Sequence, residues 1–116
     1  MIKTGGINVA PLEVEGVLLQ HPDIVQAHVV GVSDAAKGEI VAAAVEPRPG
    51  AAADAEAIIT FCRDRLASYK VPVLLAFYSA DQLPRTPTGK IHKPSLADAF
   101  AAERGHDAGS GQMSDQ

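Results

Sequence analysis

Two β-branched segments in the first half of the chain constrain its fold more than any other feature. They cover residues 27–32 and 39–46, and the loop between them is rich in Ser, Asp, Lys and Gly. Short apolar segments bounded by turn residues are typical of strands. Pro47 ends the second segment because proline cannot donate to a central ladder. We therefore predict two strands that pair antiparallel through a polar turn.

Three other segments have the apolar spacing of helices that cover a sheet. The predicted helices are residues 11–20, residues 54–68 and a segment that begins at Pro94. In the first of them, Val14, Val17 and Leu18 recur at i, i+3 and i+4, which places them on one face. Asp54 can cap the second helix.

The rest of the chain adds a short strand and a glycine-punctuated N-terminus. Residues 74–78 predict a third strand, and Gly5–Gly6 predicts the tight turn of a hairpin or a flexible arm. The predicted fold class is α+β, with a small, mostly antiparallel three-stranded sheet covered by about three helices. Residues 1–103 form the predicted domain, and residues 104–116, rich in Gly, Ser, Asp and Gln, are predicted to be a flexible polar tail.

The apolar composition sets the size of the core. Of the 116 residues, 29 are Val, Ile, Leu or Phe and 20 are alanine, so the supply of large apolar side chains is modest. That supply suits one domain with a small sheet under helices and does not suit a long sandwich.

Charge and cysteine usage exclude several functions. The net charge is −4 and no Lys/Arg stripe occurs, which argues against a nucleic-acid groove. Cys62 is the sole cysteine, so we expect no intrachain disulfide and a reducing, cytoplasmic compartment. No apolar span of 18 residues is present, so no membrane span is predicted. The histidines lack ligand spacing, and no metal site is predicted.

A proline- and glycine-rich run near the C-terminus presents one lysine at the tip of a stiff turn. It reads Leu83-Pro84-Arg85-Thr86-Pro87-Thr88-Gly89-Lys90-Ile91-His92-Lys93. The prolines fix two φ angles, Gly89 permits a turn with positive φ, and Lys90 then projects outward. Such a lysine suits a phosphate or an oxyanion. Taken alone, the run is more typical of a surface hairpin with a solvated lysine than of a functional site, and Lys93 is expected to face solvent.

Both ends of the chain together resemble one known family. The N-terminal stretch is Ile2-Lys3-Thr4-Gly5-Gly6-Ile7-Asn8-Val9-Ala10-Pro11-Leu12-Glu13-Val14-Glu15, and the C-terminal one is the lysine run. Between them lie His21-Pro22, Val30-Gly31-Val32, Gly38-Glu39, Pro49-Gly50 and Tyr69-Lys70-Val71-Pro72. Over residues 2–103 the order and spacing resemble the C-terminal lid domain of the adenylate-forming enzymes. That superfamily includes acyl-CoA and aryl-CoA ligases, luciferases and peptide-synthetase adenylation domains.

The resemblance implies a role for each motif in a two-step reaction. Lys90 would be the catalytic lysine that assists attack of a carboxylic acid on ATP, with Thr88 and Gly89 holding the loop at the nucleotide. After a rotation of the lid, Gly5 and Gly6 would line the channel for the pantetheine arm of coenzyme A. Lys3 matches a lysine that acts in this second step in luciferase-like relatives.

The resemblance also implies partners that lie outside this chain. An N-terminal domain of the same ligase would bind the carboxylic acid and ATP with its Mg²⁺, so the isolated chain is expected to be inactive. Lys37 and Val73 depart from the family pattern at positions that often touch the coenzyme A nucleotide, and Lys37 and Lys70 could substitute electrostatically. The spacing from Pro84 to Lys90 resembles the pattern that lysine acyltransferases modify.

Two alternatives to the ligase remain open from the sequence. One is a non-catalytic, stand-alone interaction module with the same fold. The other is the lid of a peptide-synthetase adenylation domain, although Thr-Gly-Lys-Ile-His-Lys resembles the ligase form more closely. A small α/β domain that binds anions through Lys90 without catalysis is a third and weaker possibility.

Overall fold

A long antiparallel hairpin forms the centre of the sheet. The computed structural model describes the backbone of residues 1–113 and the side chains of residues 1–104. Strand β3 (Ile24–Asp34) pairs with β4 (Gly38–Pro47), with Val29 opposite Ala43 and Asp34 opposite Gly38. The predicted antiparallel pair is confirmed. Both strands are longer than predicted because backbone hydrogen bonds continue the ladder through the polar residues at each end.

The sheet has five strands, whereas the sequence predicts three. The two additional strands are the short β1 (Ile2–Thr4) and β2 (Ile7–Val9), which form an antiparallel hairpin. The hairpin joins β4 through the pairing of Thr4 with Gly38, so the N-terminal segment is part of the sheet. Strand β5 (Leu74–Phe77) lies beside β4 and runs parallel to it. The predicted hairpin at Gly5–Gly6 is confirmed, but its strands were not counted in the sheet because three residues are too short to show an alternating pattern.

The helices cover both faces of this mostly antiparallel sheet, which confirms the α+β fold class. Helix α1 spans Pro11–Leu19, α2 spans Ala55–Arg63 and α3 spans Lys93–Met113, with a 3₁₀ turn at Ser68–Lys70. Asp54 caps α2 as predicted, because its Oδ2 accepts from the backbone N–H of Ala57 at 3.3 Å. The helix ends earlier than predicted, and the 3₁₀ turn leads into β5.

Two apolar clusters lie on opposite faces of the sheet. The first packs α1 and α2 against the sheet and includes Val14, Leu18, Val29, Val41 and Ile58. The second packs α3 and the segment before it and includes Val32, Ala42, Leu83, Leu96 and Phe100. Every residue of β4 from Ile40 to Val45 is buried, because successive side chains point to opposite faces of the sheet and each face is covered by one of the two clusters. Alanines in this strand leave room for helices to approach closely.

The predicted tail begins where α3 is still helical. Arg104, the first residue of that tail, donates to Asp34 Oδ1 at 3.1 Å and therefore belongs to the folded domain. Helix α3 extends to Met113, while residues 114–116 lie outside the described residues, so flexibility of the tail stays a prediction. No helix in the part of the chain that the structure describes is long and apolar enough to cross a membrane.

Truncation of Leu18 is expected to destabilise the domain by about 2–5 kcal/mol, because its fully buried side chain would leave a cavity in the first cluster. Leu19 is the adjacent residue on the same helix and is 48 % exposed, so Leu19→Ala is a matched control with an expected change under about 1 kcal/mol. Urea unfolding curves of the two variants measure the difference. Equal losses would contradict the assignment of the α1 face.

Candidate functional site

The lysine run forms a tight hairpin, which we call the lysine hairpin (residues 84–92). Arg85 and Ile91 pair as an antiparallel bridge, and the N–H of Thr86 donates to the carbonyl of Lys90 at 2.7 Å. The N–H of Gly89 donates back to the carbonyl of Thr86 at 2.9 Å, and Gly89 has a φ of +90°. A three-residue loop closed by a left-handed residue is a common hairpin geometry.

Side chains at the base of the lysine hairpin hold its tip. Arg85 donates to the carbonyl of Gly89 at 3.1 Å and to the carbonyl of Ala80 at 3.2 Å. Thr86 Oγ1 accepts from the N–H of Lys90 at 3.2 Å and lies 3.0 Å from Thr88 Oγ1. These bonds restrict the tip before any ligand arrives. Sequence reasoning missed the roles of Arg85 and Thr86, although a guanidinium with five donors beside a glycine turn is a signal for such bracing.

Lys90 itself points into solvent. Its side chain is exposed, and none of the ion pairs described within residues 1–104 involves it. The hairpin below it is anchored, because Leu83 is buried in the second cluster and Ile91 packs against that cluster. The N–H of His92 donates to the carbonyl of Pro84 at 2.9 Å and closes the base. An exposed ammonium group therefore lies on a well-supported loop.

The glycine hairpin, residues 4–7, forms a second exposed loop. Gly5 and Gly6 have φ values of +57° and +83°, and two successive positive φ angles define the type I′ turn that fits two-residue hairpins. A Cβ at either position would meet no atom within 4 Å, so the turn projects from the surface. The N–H of Gly5 donates to the carbonyl of Lys37 at 2.9 Å. This bond brings the exposed Lys37 beside the turn.

Lys3 lies on the strand that leads into the glycine hairpin. Its backbone N–H donates to Glu39 Oε1 at 2.9 Å, while its side chain is exposed. Lys3 and Lys37 are therefore two exposed lysines whose backbones adjoin the glycine hairpin. A turn without side chains beside positively charged residues suits an extended ligand that carries phosphate groups.

The structure separates the two groups of predicted site residues. The glycine hairpin meets β4 at Gly38, its first residue. The segment that leads to the lysine hairpin leaves the sheet at the other end, where the N–H of Tyr78 donates to the carbonyl of Val45 at 2.8 Å. The seven steps along β4 from Gly38 to Val45, at about 3.3 Å each, put these ends about 23 Å apart. Lys90, Thr88 and Gly89 thus form one loop, and Lys3, Gly5 and Gly6 form another.

Two other lysines are already paired. Both carboxylate oxygens of Glu13 lie 2.9 Å from Lys70 Nζ, and this contact raises the pKa of Lys70. Lys70 is therefore less available to an incoming phosphate than Lys37. The side chain of Lys93, expected to face solvent, is 40 % exposed, and its Nζ also donates to Glu15 Oε2 at 2.7 Å. The ion pair was not predicted because Glu15, 78 residues earlier in sequence, approaches the start of α3 only in the folded chain.

Burial shifts the pKa of two other residues considered from sequence, His28 and Cys62. Burial lowers the pKa of His28, which lies on β3 near Glu15, and burial raises the pKa of the Cys62 thiol in the first cluster. Among the described residues, no group of three or more His, Cys, Asp or Glu side chains could hold a metal ion.

Comparison with known proteins identifies the family. The sequence profile described as the AMP-binding enzyme C-terminal domain matches residues 13–90. The chain belongs to this family of C-terminal domains. The matched segment includes Lys90 and the central strands β3 and β4, and the match confirms the resemblance to the adenylate-forming superfamily.

Two curated relatives of this chain are named as CoA ligases. The chain is 42 % identical over 103 residues to a probable CoA ligase, CCL9, of Humulus lupulus, covering 89 % of this chain and 19 % of that protein. It is 45 % identical over 96 residues to the 2-succinylbenzoate–CoA ligase of Geobacillus kaustophilus, covering 83 % and 19 %. The chain therefore spans about a fifth of the length of these curated relatives.

Solved structures share the fold. A Mycobacterium tuberculosis fatty acyl CoA synthetase matches with a TM-score of 0.78 and 38 % identity over 89 % of this chain and 20 % of that one. ATP-bound MatB from Rhodopseudomonas palustris matches with a TM-score of 0.80 and 34 % identity over 87 % and 20 %.

Replacement of Gly89 by alanine is expected to destabilise the domain by about 1–2 kcal/mol, because a φ of +90° is strained for any residue with a Cβ. Gly16 on α1 offers a matched control, since a Cβ there also meets nothing within 4 Å but φ is helical. Gly16→Ala is expected to stabilise by up to about 1 kcal/mol. Thermal unfolding measures both; stabilisation by Gly89→Ala would contradict the hairpin geometry.

Proposed function

We propose that the chain is the mobile C-terminal domain of an AMP-forming acyl- or aryl-CoA ligase. The observation that carries this proposal is the exposed ammonium of Lys90 on a hairpin braced by Arg85 and Thr86. The relatives named as CoA ligases support the reaction class. A larger N-terminal domain of the same enzyme is the proposed partner, with a cytoplasmic location for the whole.

Lys90 would act in adenylate formation. In this step a carboxylate oxygen bonds to the α-phosphorus of ATP, and the bond from that phosphorus to its bridging oxygen breaks, which releases pyrophosphate. Negative charges converge as the bond forms, so a positioned ammonium stabilises the transition state by about 3–4 kcal/mol. Mg²⁺ and the adenine ring would be held mainly by the N-terminal domain. Thr88 and Gly89 would keep the hairpin tip close to the nucleotide.

The glycine hairpin would act in thioester formation. Here the thiol of coenzyme A attacks the acyl carbonyl, and AMP leaves as the acyl–phosphate bond breaks. Gly5 and Gly6 fit a narrow channel because no Cβ obstructs the pantetheine arm, and their exposed peptide groups can bind its amides. Lys3 and Lys37 supply positive charge beside this turn. Because Lys70 is paired with Glu13, we assign to Lys37 the attraction of coenzyme A phosphates.

The separation of the two hairpins supports a rotation of the domain between the steps. Loops that leave opposite ends of one rigid strand, with those ends about 23 Å apart, cannot both reach a single reaction centre. A rotation of the whole domain would exchange them while the bonds inside each hairpin stay unchanged. Acylation of Lys90 by a lysine acyltransferase would remove the charge required in the first step and leave the glycine hairpin unaltered.

Lys90→Ala in the complete ligase is expected to lower adenylate formation by at least about a hundredfold, because the positioned cation is lost. Transfer of a preformed acyl-adenylate to coenzyme A should persist. Pyrophosphate release and thioester formation are measured separately. Arg63→Ala removes an exposed cation on α2 and serves as control. Equal loss of both steps, or pyrophosphate release by the isolated 116-residue chain, would contradict the role.

Gly6→Ala is expected to reduce thioester formation by about tenfold or more while adenylate formation continues, because the added methyl narrows the channel and strains the turn. Gly50 is a matched control: its φ of +80° resembles the +83° of Gly6, and it also has open space around it. Gly50→Ala should cost similar stability without selective loss of the second step. A Gly6→Ala enzyme that forms thioester at the normal rate would exclude the channel assignment.

A further inference from the structure

A buried carboxylate connects the start of α3 to the opposite layer of the domain. Glu15 is only 9 % exposed, and its Oε2 accepts from the backbone N–H of Val29 at 2.8 Å and from Lys93 Nζ at 2.7 Å. Val29 lies on β3, an outer strand of the sheet. One carboxylate therefore joins α1, the edge of the sheet and α3.

Lys93 occupies a position that a helix alone would not favour. It is the first residue of α3, where the positive end of the helix dipole opposes a cation. Lysine at that site is explained by its bond to Glu15, whose charge it neutralises. Its side chain extends across the edge of β3 to reach a carboxylate on α1. The ion pair thus compensates locally for an unfavourable helix start.

The ion pair lies at the base of the lysine hairpin. Lys93 follows Lys90 by three residues and Ile91 by two, so it marks the point where the hairpin returns to the body of the domain. Apolar contacts of Leu83 and Ile91 hold the hairpin against the second cluster. The Glu15–Lys93 bond adds a directional attachment to helix α1. Together the apolar contacts and the ion pair restrict how far the lysine hairpin can tilt or shift relative to the sheet.

We propose that Glu15 and Lys93 are positioning residues that orient the lysine hairpin so that Lys90 reaches the reacting phosphate. Neither residue touches substrate. The inference rests on the proposed function for its kinetic consequence, whereas its structural part concerns the chain alone. A displacement of about 1 Å at a reacting group reduces rates by about a hundredfold, so small tilts of the hairpin matter.

The kinetic test compares Lys93→Met with Arg104→Met in the complete ligase. Arg104 is a matched control because it pairs with Asp34 farther along the same helix, and both basic side chains are 40 % exposed. Lys93→Met is expected to lower adenylate formation by about 10- to 100-fold and to spare transfer of preformed acyl-adenylate to coenzyme A. Arg104→Met should leave adenylate formation within about twofold. Lys93→Arg, which retains the pair, should restore most of the rate.

The same preparations separate positioning from simple destabilisation. Glu15→Gln/Lys93→Met is expected to be no slower in adenylate formation than Lys93→Met, because the two residues act through one bond. Equal slowing of both half-reactions, or equal slowing by Arg104→Met, would overturn the inference. The inference would also be overturned if the Lys93→Met enzyme unfolded at a lower temperature yet formed adenylate at the normal rate.

Nuclear magnetic resonance on this chain distinguishes failure of the inference from failure of the proposed function. In Lys93→Met, the backbone amides of Thr88 and Lys90 are expected to show reduced heteronuclear Overhauser effects, while those of β3 stay unchanged. Amides as ordered as in the unaltered chain would overturn the inference. Suppose that the Lys90→Ala ligase retains adenylate formation while the amides of Thr88 and Lys90 lose order in Lys93→Met. The proposed function then fails, and the positioning of the hairpin by Lys93 stands.

Discussion

The backbone ladder between β3 and β4 is the interaction on which the rest of the domain depends. Each residue of β4 from Ile40 to Val45 is buried, and β4 is also the strand to which β1 and β5 attach. Its peptide groups must be bonded on both sides, because water cannot reach them. The antiparallel partner satisfies one side along the full strand. The parallel β5 and the glycine hairpin pair with different parts of the other side. The glycine hairpin therefore lies at one end of β4, and the segment that leads to the lysine hairpin leaves at the other.

Helix α3 links those two ends on the outside of the sheet. From Lys93 to Arg104 it covers twelve residues, and the eleven helical steps between them span about 16 Å. Lys93 forms an ion pair with Glu15 at one end of this segment, and Arg104 forms one with Asp34 at the other. Asp34 also accepts from the N–H groups of Ala36 and Lys37, and these bonds lower its pKa. The helix is therefore fastened beside the base of the lysine hairpin and beside the turn that supports the glycine hairpin.

Sequence reasoning predicted the elements whose signals are local. The β-branched segments, the cap at Asp54 and the apolar spacing of Val14 and Leu18 depend on neighbours within a few residues, and the structure contains all of them. The joining of β1 to β4 was missed because it depends on a contact between distant segments. The Glu15–Lys93 pair was missed for the same reason: a glutamate in the first half of a helix looks like a surface residue until the fold brings an edge strand and a second helix against it. The family motifs indicated Lys90, Gly5 and Gly6 but carried no information on the side chains that support them.

Rigidity within the domain and mobility of the domain are complementary requirements. A lysine that must meet a phosphate within a fraction of an ångström gains nothing from a flexible loop, because each added conformation lowers the fraction of molecules with the correct geometry. The bonds from Arg85 and Thr86 at the tip, and from Glu15 at the base, remove that freedom in advance. Motion is then expected outside the domain, where a rotation exchanges one intact hairpin for the other. In this arrangement the distance between the hairpins is set by β4 and the orientation of each by short polar contacts, so the proposed two-step reaction needs no refolding of either loop.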